Sequence, residues 1–467
     1  MLKSALFILI CAFSTISCSQ PAKEVEFWLT DPSQDVKFQL QDSLAFLVGE
    51  PSEAIPSSIL INPETSYQTM DGFGFTLSQG SAVHLMGMSE SAREILLKEL
   101  FGSGANQIGI SYLRLAVAAS DLNETPFSYN DLSDSLAVDL ELESFDLGPD
   151  RKDVIPILKE ILAINPDIKL MASPWSPPAW MKDNKDTRGG SLLEEFESVY
   201  AQYLVKYIQA IKAEGIEIDA LTIQNEPLHP GNNPSLLMLP EQQARFIGMH
   251  LGPAFREAGI KTKILIYDHN TDRPDYPIAV LSDSLANPFI NGSAFHLYGG
   301  EIEALSEVHQ AFPDKNIYFT EQWISAPGDL AGDMPWHIKN LIVGATRNWS
   351  KTVLEWNLTS NPSLTPHTDR GGCDRCLGAV TVDGDSVSRN PAYYVIAHAS
   401  KFVTPEAVRI DSNEVEGFAN VAFLRPDGKV VLIILNETKA EGTFHVKNEN
   451  KAFISTLNAG AVGTYMW

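Results

Sequence analysis

Leu221-Thr-Ile-Gln-Asn-Glu-Pro227 is an apolar run with β-branched members that ends abruptly on an amide, a carboxylate and a proline. Such a run reads as a buried strand, and Pro227, which lacks a backbone donor, ends the ladder there. Glu226 is therefore expected at the C-terminal lip of a strand, where packing alone gives no reason for a charge. A second run, Asn316-Ile-Tyr-Phe-Thr-Glu-Gln-Trp323, delivers Glu321 in the same way. Two strand-end carboxylates that face one cleft are what glycoside hydrolysis requires.

Outward from these two runs the chain alternates strand and helix. Strands are expected at Gln68–Phe75, Ile110–Val117, Ile168–Trp175, Ile218–Glu226, Thr262–Asp268, Gly292–Tyr298, Asn316–Trp323 and Thr352–Leu358. The clearest helix is Glu194–Ala213, where Phe196, Val199, Tyr200, Tyr203, Leu204, Tyr207, Ile208 and Ile211 recur at three- and four-residue steps before Gly215. Others are expected at Glu90–Leu100, Val154–Ile164, Glu241–Ala258 and Ile302–Ala311. Eight such units predict an α/β fold of the (β/α)8 TIM-barrel class, because no glycine-rich phosphate loop marks a doubly wound sheet. Gly72-Phe-Gly74 is too short for one and reads as a tight bend after a barrel strand.

Both ends of the chain read as all-β. Val25–Thr30, Asp35–Leu40 and Ser58–Asn62 lie on one side of the barrel. Gly417–Leu424, Val430–Asn436, Gly442–Val446, Ala452–Leu457 and Val462–Trp467 lie on the other. A five-strand segment must bury a face, so residues 21–66 and 401–467 are expected to form one attached β-sandwich beside a catalytic barrel over 67–400.

Residues 1–20 carry Lys3, an apolar run from Ala5 to Phe13 and small residues before Cys18, the pattern of an export signal. Thr15-Ile-Ser-Cys18 is similar to a bacterial lipoprotein box, in which the cysteine is lipidated. The expectation is an exported bacterial protein, held in the periplasm or at the outer-membrane surface through Cys18, or secreted. Membrane contact would be limited to that anchor. The 59 acidic against 34 basic residues give a formal charge of −25, which repels nucleic acid and anionic membranes and suits a neutral partner. Cys11 and Cys18 belong to the signal, and Cys373 and Cys376 are expected to close a small disulfide loop in an oxidising compartment. Two thiols do not complete a zinc site, and His84, His229 and His250 are scattered, so neither metal nor cofactor is expected.

The barrel's active end is the C-terminal end of its strands. What the strands deliver there is Arg114, Trp175, Asn225, Glu226, His296, Tyr298, Glu321, Trp323, Trp356 and Asn357. Taken singly, Arg114 reads as an ion-pair partner, the tryptophans as core and His296 as a satisfied buried histidine. Two glutamates on one barrel mouth would repel unless the site uses them. Tryptophan faces suit the apolar C–H face of a pyranose, and Asn225, His296 and Tyr298 suit its hydroxyls and the nucleophile. In such a pair the acid must rest protonated and the nucleophile ionised, with Arg114 as the natural cation for Glu321.

Asp71-Gly-Phe-Gly74, Tyr112-Leu-Arg-Leu115, Ala172-Ser-Pro-Trp-Ser-Pro-Pro178, Gln224-Asn-Glu-Pro227, Phe319-Thr-Glu-Gln-Trp323 and Glu355-Trp-Asn-Leu358 together resemble glycoside hydrolase family 30, in its glucosylceramidase and endo-β-1,6-glucanase branch. The resemblance covers nearly the whole chain after the signal. It implies a barrel with an attached β-sandwich, Glu226 as acid/base and Glu321 as nucleophile. It also implies that Arg114, Trp175, Asn225, His296, Tyr298 and Trp356 line the subsite for the non-reducing-side sugar. Where the glucosylceramidase pattern places a hydroxyl-binding Asp, this chain has Gln79, which loses the charge-assisted bond. The expected activity is retaining cleavage of β-1,6-linked glucose, within a β-1,6-glucan or as branches on a β-1,3-glucan. Glucosylceramide, xylosidic and fucosidic specificities use the same machinery. A non-catalytic glycan-binding protein would keep the tryptophans but lose a carboxylate.

Overall fold

The computed structural model describes residues 24–47, 57–134 and 137–467, so the export signal with Cys11 and Cys18 lies outside the described residues. Within them, eight parallel strands close into a barrel: Gly72–Leu77, Tyr112–Val117, Lys169–Pro174, Ala220–Thr222, Lys263–Asn270, Ile290–His296, Asn316–Glu321 and Ser350–Asn357. All eight overlap the strand runs expected from the sequence. The first starts later than expected, because Gln68 and Thr69 end a long sandwich strand, Ser58–Thr69.

Gly72 and Gly74 lie inside the first barrel strand, not in a bend after it. A Cβ on Gly74 would sit 1.8 Å from the Tyr112 carbonyl oxygen, so only glycine lets the first two strands approach there. The barrel interior is layered. Its middle is apolar, with Tyr112, Met171, Ala220, Leu265, Ala294, Tyr318 and Leu354 packed together. The base carries Asp71, 2.8 Å from Lys169 and 3.7 Å from Lys351. Polar side chains fill the upper end, as described below.

Helices surround the barrel. Glu197–Ala213 buries Tyr200, Tyr203, Leu204, Tyr207, Ile208 and Ile211, the stripe its spacing predicts. The segment expected as one helix from Glu241 runs as Pro240–Arg245, a π-helical stretch Phe246–Leu251 and then Gly252–Glu257. Helices at Gln79–Met86, Asp275–Ser282, Leu330–His337 and Pro391–Ser400 are additional to those expected.

The two ends of the chain interleave in one sheet. Glu24–Asp31 pairs antiparallel with Val462–Met466, and Ser58–Thr69 lies between Val408–Ser412 and Gly442–Asn448. The sheet folds over a core that includes Val25, Phe27, Ile59, Leu432, Ile434, Phe444 and Tyr465. His398, on the last barrel helix, joins the two bodies. Its Nε2 lies 2.8 Å from the Thr30 hydroxyl and its Nδ1 lies 2.8 Å from the Thr464 hydroxyl, one threonine from each end of the chain. Burial pushes this imidazole down to about 3 from an ordinary value of 6.5.

Above pH 6.5 His398 is neutral in both folded and unfolded chains. As pH falls below that value only the unfolded chain takes the proton, so stability is lost down to about pH 3. His398→Gln is expected to shrink the difference in unfolding free energy between pH 7 and pH 5 by about 2 kcal/mol, read from urea titrations at the two pH values.

Candidate active site

The upper end of the barrel is organised around Asp268, on the strand Lys263–Asn270. Its Oδ2 accepts hydrogen bonds from Arg114 Nη2, Ser173 Oγ and Thr222 Oγ1, each at 2.8 Å. Its Oδ1 accepts from Thr320 Oγ1 at 2.7 Å and from His296 Nε2 at 3.1 Å. Burial alone would push the Asp268 carboxyl up, but the charge of Arg114 and the hydrogen bond from His296 hold it well below the usual carboxylate range. Asp268 is the residue that sequence reasoning left unassigned, although it ends an expected strand as Glu226 and Glu321 do.

Arg114 is fully buried and reaches in three directions. Nη1 donates to Glu321 Oε2 at 2.6 Å, and Nη2 donates to Asn225 Oδ1 at 2.7 Å as well as to Asp268. Its guanidinium carbon lies 4.8 Å from the centre of the Trp175 ring. On the other side, Tyr298 Oη donates to Glu321 Oε1 at 2.9 Å. Burial pushes the Glu321 carboxyl up, against the pull of His296 and Arg114. Both its oxygens nevertheless accept from donors, and the guanidinium does not release its proton, so the geometry favours the ionised form.

Glu226 lies four residues past the last laddered residue of its strand, Thr222, rather than on the ladder. The backbone turns instead into a left-handed conformation at Glu226, with φ of 46°, and its N–H donates to the Asp268 carbonyl at 3.0 Å. Tyr267 and Asp268 also have positive φ, 72° and 65°, so three non-glycine residues hold uncommon backbone geometry beside one another. The Glu226 side chain accepts from His296 Nδ1 at 3.2 Å and from Asn232 Nδ2 at 3.1 Å.

His296 lies between carboxylates, with Glu226 and Asp268 bonded and Glu321 Oε1 3.8 Å away. Burial would lower it, but Glu321, Asp268 and Glu226 raise it to about 9. For Glu226 burial opposes the shift, and the hydrogen bond and charge of His296 prevail, pulling it below its ordinary value. The expectation that Glu226 rests protonated is therefore corrected. In the open cleft the proton of this pair sits on His296, because three carboxylates surround the imidazole.

The cleft has a volume of about 270 Å³. Trp175, Asn225, Glu226, Tyr298, Glu321, Trp323 and Trp356 all face it. Trp175 and Trp356 are tilted by 35° with ring centres 5.4 Å apart. Arg114 and His296 do not line it; fully buried, they act on whatever binds through the side chains in front of them, the two glutamates and, for Arg114, also Asn225 and Trp175. Gln79 is not on the cleft either. It begins the helix Gln79–Met86, and its amide is engaged by Asn123 Nδ2 and, at 3.4 Å, by Asp153 Oδ1.

The further carboxyl that does face the cleft is Asp121, in the loop after the strand Tyr112–Val117. It is 7 % exposed, and its Oδ1 has no hydrogen-bond partner among the described residues. Burial, with help from Glu321 and Glu226, pushes it up to about 8, which favours the neutral form, able to donate. Nothing in a loop without periodicity marks it in the sequence. His229, Asn232, His269 and Asn270 complete the wall beside Glu226.

Glu226, His296 and Glu321 also offer ligand atoms within 4.8 Å of one another, the spacing of a metal site. Arg114 already supplies positive charge to Glu321 there, and both His296 nitrogens face carboxylates, which an ion at that point would have to displace.

Residues 70–403 match the glycosyl hydrolase family 30 TIM-barrel domain, and residues 406–465 match the glycosyl hydrolase family 30 beta sandwich domain. The chain belongs to glycosyl hydrolase family 30. Within the family it is similar to the endo-1,6-beta-D-glucanase neg1 of Aspergillus fumigatus, with 34 % identity over 396 residues that cover 79 % of this chain and 78 % of the relative. It is also similar to the lysosomal acid glucosylceramidase of Mus musculus, with 28 % identity over 439 residues, covering 88 % and 83 %. Among solved structures, the endo-beta1,6-glucanase BT3312 superposes with a TM-score of 0.87 at 35 % identity, covering 95 % of this chain and 99 % of that one. As a family 30 member the chain is a retaining glycoside hydrolase.

Activity that depends on protonated His296 is present below its pKa of about 9 and is lost as pH rises through that value. His296→Asn is expected to lower kcat/KM by about 100-fold and to remove the alkaline limb of its pH profile, measured on an aryl β-glucoside.

Proposed function

We propose that this protein is an endo-acting hydrolase of β-1,6-linked glucan, with Glu226 as acid and then base and Glu321 as nucleophile. The observation that carries the two-glutamate assignment is the spacing of the carboxyls, one oxygen of each lying within 4.8 Å of the other. Retaining enzymes hold them about 5 to 5.5 Å apart, and inverting enzymes leave about 6.5 to 9.5 Å for a water molecule.

In the first step a Glu321 oxygen attacks the anomeric carbon as the bond to the leaving oxygen breaks, and that oxygen takes a proton from Glu226. The proton reaches Glu226 Oε1 from His296 Nδ1 along their 3.2 Å hydrogen bond. In the second step Glu226 accepts a proton from water, whose oxygen attacks the same carbon and frees Glu321. Trp175 and Trp356 carry the sugar's apolar face. Asn225 gives its Oδ1 to Arg114 and keeps its NH2 group for a hydroxyl. Asp121, neutral and unpartnered at Oδ1, binds another.

The substrate class follows from the wall beside Glu226, where the leaving group must sit. His229, Asn232, His269 and Asn270 present hydrogen-bonding groups there, and buried His269 Nδ1 has no partner among the described residues. Such a wall suits a second sugar better than a lipid chain, which favours glucan over glucosylceramide. The relatives named endo-1,6-beta-D-glucanase support the linkage. Export, with a tether at Cys18 or without one, fits the N-terminal signal pattern and a disulfide-permissive compartment. Among the described residues no helix is long and apolar enough to cross a membrane.

On linear β-1,6-glucan the expected product is a ladder of oligomers; glucose alone would replace the endo reading by an exo one, and no cleavage would sink the substrate. Glu321→Gln is expected to abolish turnover of every β-glucoside. Glu226→Gln is expected to lose about 10²- to 10⁴-fold on glucan but far less on a dinitrophenyl β-glucoside, whose leaving group departs without a proton.

A further inference from the structure

The Cys373–Cys376 disulfide, with Cα atoms 5.7 Å apart, lies on the cleft wall. Both cysteines face the cleft beside Asp121, Trp175 and Trp356. Buried Cys376 packs with Leu122, Trp175 and Trp356, while half-buried Cys373 and Trp323 close the edge of that apolar cluster. The sulfur bridge therefore forms part of the surface that a bound sugar meets.

The two ends of the bridge are held differently. Cys376 belongs to a short ladder in which Cys376–Leu377 pairs antiparallel with Ile324–Ser325, three residues after the Glu321 strand ends. Ala326 N–H donates to the Arg375 carbonyl at 2.9 Å and extends that hold. Cys373 has no such ladder. It follows Gly371 and Gly372, and a Cβ at either would come within 2.3 Å of a carbonyl oxygen, of Gly231 and Thr368 respectively. The Gly371 contact lets the loop that carries Cys373 lean on the loop that carries Asn232, the donor to Glu226 Oε2, and the Gly372 contact packs the Cys373 loop on itself. On its other flank Thr368 N–H donates to the Asp121 carbonyl at 2.9 Å, and the Cys373 N–H is directed toward the Asp121 carboxyl.

The Cys373 loop thus touches the backbones that present Asp121 and Asn232, and the sulfur bridge is what ties its free end to the laddered one. From this geometry we infer that the disulfide is a positioning element for the sugar-binding wall: closed, it holds Asp121 and the tryptophan pair in register for the sugar, and opened, it leaves that half of the cleft loose. The inference rests on the reading of this cleft as a glycoside site. A bridge across three residues closes little chain entropy, so the effect falls on binding and not on overall stability.

The test uses the full chain and an aryl β-glucoside, which occupies only the glycone half of the cleft and is turned over whether or not β-1,6-glucan is the natural polymer. Cys373→Ser combined with Cys376→Ser is expected to raise KM about tenfold, with kcat within about twofold and the thermal midpoint within about 2 °C. Reducing the unaltered protein with a phosphine, which gives two electrons to the bridge and becomes its oxide, should raise KM to the same level and leave the double variant unchanged. An unchanged KM in the double variant would overturn the proposal. A fall in thermal midpoint with kcat and KM both degraded would also overturn it, because the bridge would then be a fold support. Absence of aryl glucoside turnover in the unaltered protein would count against the glycosidase reading itself.

Discussion

A guanidinium held inside a barrel has to be matched by carboxylate and hydroxyl groups, and meeting that constraint at Arg114 arranges the rest of the site. Asp268 meets it, with five donors converging on its two oxygens, three of them hydroxyls and two of them on cationic side chains. Removing one partner of such a pair leaves an uncompensated buried charge, at a cost of about 3 to 5 kcal/mol. The arrangement thus fixes Arg114 in position against Glu321 and Asn225. The same carboxylate fixes the ring of His296 through Nε2, which leaves Nδ1 for Glu226. One buried acid that never reaches the cleft orients the partners of both glutamates.

Much of this was legible in the sequence because barrel strands advertise their ends. A charge that terminates a β-branched run has no packing purpose, and that rule finds Glu226 and Glu321. It applies equally to Asp268, which hides because a strand-end Asp also reads as an ordinary ion-pair partner, and here it is one. Asp121 was not legible, since it follows its strand by four residues in a loop without periodicity, where an Asp reads as an ordinary turn residue. Gln79 misleads for the opposite reason. Counting along a motif puts it near the site, whereas the helix that begins at that residue turns its amide toward Asn123 and Asp153.

The architecture was legible to the same degree and for related reasons. Hydropathy patterning, as apolar runs in the eight strands and as repeats near 3.6 in the long helices, marks these elements. It fails for Leu330–His337, which contains Pro335, and for Pro391–Ser400, which is buried on every side and so shows no polar face. That last helix matters for the whole molecule. Through His398 it holds one strand from each end of the chain, so barrel and sandwich share a hydrogen-bonded seam as well as an apolar one.

The number of protons in the site is itself a constraint on mechanism. Four carboxyls, Asp121, Glu226, Asp268 and Glu321, share the region with two cations, Arg114 and His296. Burial favours the neutral form of Asp121, and with Asp121 neutral three negative charges face two positive ones. A sugar that fills the cleft removes the water which stabilises that remaining charge, and electrostatic interactions strengthen as the local dielectric falls. Moving the proton from His296 Nδ1 to Glu226 Oε1 leaves the net charge unchanged, yet it replaces an ion pair by two neutral groups at the place being desolvated. Water favours the ion pair, whereas desolvation favours neutralisation, which is the direction the proposed mechanism requires of Glu226 before its first step. Glu321 undergoes no such exchange. Its donors are a guanidinium and a tyrosine hydroxyl, neither of which gives up its proton near neutral pH, so it keeps the charge that the proposed nucleophile needs.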